Sequence, residues 1–154
     1  MIASRPLYRD TILFVSVSTP QAHPIEDDEY RRLLEFRTGL RRFLRWSEEQ
    51  AGSLGLSPAQ HQLLLAIRGH ADARGPTIGD VANHLLLRHH SAVGLVDRAE
   101  AMGLLRRHQD RADHRIMRLQ LTRRGAEKLR RLSARHLEEL DRLASRPEPL
   151  WSGL

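Results

Sequence analysis

The sequence predicts a mainly helical fold of α+β type, with two long helices flanking a pair of short helices and one small antiparallel hairpin. Three observations carry that expectation. Apolar residues recur at three- and four-residue steps over Leu33, Phe36, Leu40 and Phe43, and a looser apolar stripe returns over Leu129, Leu132, Leu137, Leu140 and Leu143. Between them two short helical runs follow each other across a tight turn near Leu86 to Arg88. From Leu104 to Leu121 the period then changes to two, the mark of paired strands.

The first helix is expected over 25–52, where Glu26, Asp27, Asp28 and Glu29 put negative charge on the first turn and arginines occupy the outer face. Ser57 as N-cap and Pro58 as first helical residue open the second helix. After the Gly75-Pro76 break, Thr77 and Asp80 stand at capping-box spacing and start a third helix with Ile78, Val81, Ala82 and Leu85 inward. A fourth helix runs from His89 to Met102, and Gly103 occupies the position after its cap where a left-handed residue belongs. The hairpin pairs Leu104–His108 with Ile116–Leu121 around a polar tip. Thr122 caps the last helix, expected over 122–146 and ended by Arg146-Pro147. Residues 1–24, with Pro6, Pro20 and Pro24 and a short apolar piece "TILFVSV", read as an N-terminal extension to a single domain over 25–154.

Composition narrows the function. There is no cysteine, which excludes disulfides, thiolate zinc sites and thiol-based redox sensing. No run approaches the roughly 18 apolar residues a membrane span needs. Asp10 interrupts the approach to "TILFVSV", and "STPQAHP" offers no clean signal-peptide cleavage site, so a cytoplasmic location is expected. The chain carries 24 arginines, a single lysine (Lys128) and a formal charge of +6. From Leu104 to Arg135 eleven basic residues face only Asp110, Asp113 and Glu127, which points to a polyanionic partner.

Short helix, tight turn, second helix and basic hairpin is the order of a winged helix-turn-helix, expected here over 57–121. The second helix of such a pair enters the major groove, where base edges carry a distinguishable donor and acceptor pattern. The hairpin reaches the neighbouring minor groove or backbone, whose potential attracts arginine. The stretch Thr77 to Gly125 resembles the MarR family of bacterial transcription regulators. "VDRAEAMGLLRR" (Val96 to Arg107), "DRADHR" (Asp110 to Arg115) and "LQLTRRG" (Leu119 to Gly125) occur in the family's order and spacing. The resemblance implies a homodimer built from the first and last helices, a pseudo-palindromic double-stranded DNA operator, repression, and release by a small-molecule effector; no cofactor and no catalysis are expected. It puts the recognition helix on His89 to Met102. Thr77, Arg88, His89, His90, Ser91, Gly94 and Arg98 are then candidate DNA residues, with Arg111, Asp113, His114 and Arg115 in the wing. Asp113 is expected to brace the hairpin and Arg115 to enter the minor groove. Family members often have Ser or Pro where Arg88 stands. They also continue past the last helix, whereas "RPEPLWSGL" is too short for a further one, so residues 1–24 compensate or the dimer interface is reduced.

Other readings stay open. His84, His89, His90, His108 and His114 suggest a metal-responsive regulator of the same fold, although no His-Glu-x-x-His spacing exists. A winged helix that docks on protein rather than DNA is the other alternative. Ser91, His90 and Asp97 do not make a hydrolytic triad, because neighbouring helical side chains do not face each other. Phe43, Trp46, His61 and His136 are candidates for the edge of an effector cavity between the first, second and last helices.

Overall fold

The structure, a computed structural model, describes residues 24–145. The "TILFVSV" piece and the Arg146-Pro147 stop lie outside the described residues. Two compact units result, one ending at Leu34 and one beginning at Glu35. The elements are α1 (Asp27–Ser53), α2 (Pro58–Arg68), α3 (Ile78–His84), α4 (His89–Ala101), β1 (Leu105–Gln109), β2 (Met117–Leu121) and α5 (Arg123–Ala144). The order and type of every expected element are borne out, with ends displaced by one or two residues.

Local chemistry accounts for the helix starts. The Ser57 hydroxyl accepts from Gln60 N while the Gln60 side chain accepts from Ser57 N, closing a capping box on α2. Thr77 and Asp80 close the same box on α3 at 2.8 and 3.2 Å. Thr122 caps α5 through Gly125 N. Three helix ends share one hydrogen-bond pattern, in which the amides of the two residues after the cap return to the last turn. Gly55 and Gly103 supply the left-handed residue after α1 and α4. After α3 that place is taken by Leu86 at φ 54°, with Leu87 N bonded to Ala82 O at 2.8 Å.

The second unit packs around Leu63, Leu64, Val81, Val96, Leu104, Leu119 and Leu132, all essentially inaccessible. The hairpin is in register with Leu105 opposite Leu121 and Gln109 opposite Met117. Its return strand departs from a simple two-sided alternation. Met117 is exposed, while Arg118 and Leu119 are both buried. The reason is the loop before α3, which covers the second face. Leu119 N donates to Pro76 O at 2.8 Å, and a Cβ on Gly75 would stand 2.2 Å from Leu119 O.

Phe43, Trp46, His61 and His136 do come together, as rings packed on one another. His136 is the hub, with centroids 5.9 Å from Phe43, 4.9 Å from Trp46 and 4.9 Å from His61. Its Nε2 lies 2.7 Å from Ser47 Oγ and its Nδ1 2.9 Å from Leu132 O. Polar contacts also join α5 to the end of α1: Lys128 Nζ donates to Leu54 O, and Arg135 donates to Gln50 and Ser53. Burial, reinforced by the facing His136, lowers the pKa of His61. A depressed base gives stability that is present above its unfolded pKa and lost as pH falls. Thermal stability should therefore drop between pH 7 and pH 5, and much of that slope should vanish in His61→Phe. An equal slope in both proteins would clear His61 of the effect.

Candidate nucleic-acid interface

The turn that presents α4 is built around the αL residue Leu86, which is 92% exposed. A leucine there bears the steric cost that glycine avoids, and its side chain returns no packing. Leu86→Gly should raise stability by about 1 kcal/mol, read as a gain of a few degrees in the melting temperature. A lower melting temperature would show that Leu86 makes a contact worth more than its strain.

Arg88 is the N-cap of α4, in an extended conformation and with no hydrogen bond from its side chain to the helix. His89, His90 and Ser91 occupy the exposed first turn. Ala92, Leu95, Val96 and Ala99 bury the opposite face, which holds the helix to the core with its polar residues outward. Gly94 is half-buried, and a Cβ there would lie 3.4 Å from Arg98 Nη1. The missing side chain thus leaves room for the exposed Arg98 guanidinium beside it. The Thr77 hydroxyl is engaged with Asp80 as the cap of α3.

The wing tip gathers the remaining candidates. Arg111, His114 and Arg115 are exposed. Asp113 accepts from Arg115 at its backbone N (3.0 Å), its Nε (3.1 Å) and its Nη2 (3.0 Å), yet the Arg115 side chain remains 91% exposed. The Arg115 guanidinium lowers the Asp113 pKa in return. Asp113 therefore orients Arg115. Asp110, three residues before Asp113, ties the tip to Arg74 and Arg118.

Asp110 and the buried Arg118 were not singled out as site residues by the sequence reading. Asp110 Oδ1 accepts from Ala112 N (2.8 Å) and Asp113 N (3.3 Å). Its Oδ2 takes Arg118 Nε and Arg74 Nη1, the latter at 3.1 Å. The backbone amide of Ala112, followed by the Arg118 guanidinium, lowers its pKa to about 2. Arg118 continues to Gly75 O (2.7 Å) and Asp72 (3.2 Å), and Arg74 binds Asp72 at 2.7 Å. The only signal in the sequence was an arginine flanked by apolar residues in a period-two strand, which marks a surface position equally well.

A second arginine ties α4 to β1. Arg107 donates to Asp97 at 2.6 Å and also pairs with Glu100, while its backbone N donates to Glu100 at 3.0 Å. Asp97, Glu100 and Asp72 all lie outside the basic segment 104–135, so the count of charges in that segment overstates what a polyanion meets. Among the described residues no group of three or more His, Asp or Glu is placed to hold a metal ion. No described helix is long and apolar enough to cross a membrane.

Comparison with known proteins agrees with this geometry. The MarR family matches residues 54–116, from the end of α1 into the wing. The chain is similar in fold to the MepR–DNA complex of S. aureus (20% identity, 73% of this chain and 82% of that one, TM-score 0.63). It is similar also to a MarR family protein from Bacillus stearothermophilus (21% identity, 79% and 81%, TM-score 0.65). A third is AbsC, a MarR family transcriptional regulator from Streptomyces coelicolor (22% identity, 78% and 80%, TM-score 0.62). No curated protein matches the chain. The fold is thus the winged helix of MarR-family regulators, and the matched lobe is MarR-type.

Proposed function

We propose that the MarR-type lobe of this chain reads double-stranded DNA, and that the protein is a homodimeric, sequence-specific transcriptional regulator acting in the cytoplasm. One observation carries the DNA reading. The first turn of α4 is exposed and bears Arg88, His89, His90 and Ser91, and the wing tip shows Arg111, His114 and Arg115 to solvent. Arginine and histidine there can bind phosphates and base edges, whereas the core of a surface for docking protein is depleted in charged residues. A similar fold, that of MepR, was solved on DNA.

The dimer is supported by apolar residues left outside on the flanking helices. Leu40 and Leu44 recur at helical spacing on α1, and Leu137 and Leu140 on α5, all exposed. A second copy would cover them and place two α4 helices on half-sites about one helical turn apart. Repression, and its relief by a small-molecule effector, rest on the family resemblance.

Selection from a random DNA pool followed by a gel shift tests the reading. A pseudo-palindromic sequence should be enriched, and light scattering should give twice the chain mass. Equal binding of all DNA at physiological salt would overturn the DNA reading in favour of a protein-docking module.

A further inference from the structure

The strands of the hairpin stop at Gln109 and Met117, and beyond them the backbone keeps Asp110 N to Ile116 O and Ile116 N to Asp113 O, both at 2.9 Å and both within the hairpin itself. A two-stranded hairpin by itself is weakly held. What joins this tip to the loop before α3 is the ion cluster between Asp110, Arg118, Asp72 and Arg74. Asp110 and Arg118 are 2% and 7% exposed, and the two acids and two arginines balance in charge. Burying ions gives little net stability, because desolvation offsets the attraction. Directed hydrogen bonds do give geometry. The Arg118 guanidinium spends one edge on Asp110 in the tip and another on Gly75 O and Asp72 in the loop before α3. An apolar residue would fill the same space without fixing an angle.

We propose that Arg118 and Asp72 are positioning residues for DNA binding: they set the angle at which the wing leaves the lobe and so place Arg115 for its groove. This rests on the DNA reading above. Neither residue needs to touch DNA. Asp72 acts through Arg118, and Arg118 through Asp110, whose Oδ1 holds the amides of Ala112 and Asp113, three and two residues before Arg115.

The test is a double-mutant cycle on the full chain, with DNA selected by the wild-type protein and affinity read by fluorescence anisotropy. Asp72→Asn should weaken binding about tenfold in the otherwise unchanged chain, and less than about twofold once Arg115→Ala is present. Additive losses, or no loss for Asp72→Asn alone, would overturn the proposal. Arg118→Met should behave likewise. If that variant does not fold, Asp72→Asn still decides, because Asp72 is only partly buried and Arg118 keeps Asp110. Amide exchange in the free protein separates the brace from the DNA reading. Asp72→Asn should speed exchange at Ala112 and Asp113, and unchanged exchange would reject the brace whether or not the protein binds DNA. Faster exchange in a protein whose wild type shows no DNA preference would reject the DNA-binding role while leaving the wing brace intact.

Discussion

Gly125→Ala should destabilise the protein by about 3 kcal/mol or more. The methyl group would stand 1.9 Å from Leu104 O and 2.8 Å from Leu104 C, both backbone atoms. Neither side has room to yield. Leu104 is fully buried, and its carbonyl already accepts from Thr122 N at 3.1 Å and lies 3.2 Å from Thr122 Oγ1. Gly125 itself is buried in the first turn of α5, where it donates to the Thr122 cap at 3.1 Å. Relief would need the last helix to move away from the start of the hairpin, opening the core at Leu129 and Leu132. Calorimetry should show a melting temperature lower by about 10 °C. Gly52→Ala is the control: nothing lies within 4 Å of that Cβ, so a helical alanine should be neutral or stabilising by about 0.5–1 kcal/mol. A Gly125→Ala variant that melts with the wild type would mean that α5 and β1 do not approach as described.

Arg115→Ala should weaken operator binding by about ten- to a hundredfold, and the slope of log affinity against log salt should fall by about one. Arg115 is the most exposed of the ion-paired wing residues, and its pairing with Asp113 restrains the guanidinium while leaving it open to solvent. That preorganisation lowers the entropic cost of inserting a long side chain into a groove. Arg107 offers a contrast. It lies in the same basic segment, but Asp97 and Glu100 already neutralise it, so replacing it should cost folding stability more than the salt slope. Operator affinity and salt slope both unchanged in Arg115→Ala would remove the wing from the binding mechanism.

The features that could be read from sequence are local ones. Ser57, Thr77 and Thr122 cap the helices they were expected to cap, and Gly103 ends α4 as expected. Each of these needs only the next three or four residues to complete its hydrogen bonds. The exposed first turn of α4 was legible for the same reason, since an apolar stripe at Ala92, Leu95, Val96 and Ala99 leaves His89, His90 and Ser91 outside. Leu86 was not legible. Its turn was expected, but a left-handed leucine carries no sequence mark where glycine would.

Charge was the least legible quantity, because an arginine's partner can lie anywhere in the chain. Arg118 meets Asp72 across 46 positions, and Arg107 meets Asp97 across a helix end. A count along the sequence assigns both arginines to a polyanion, whereas the fold gives them acids. By itself the sequence determined the order of the elements, their caps and the winged-helix class, because helix and strand periods and caps are satisfied within a few residues. Which arginines are taken up by acids, and which residues tie the wing to the lobe, only the tertiary structure decided. Burial and ion pairing depend on distances between segments far apart in the chain, and no local pattern encodes them.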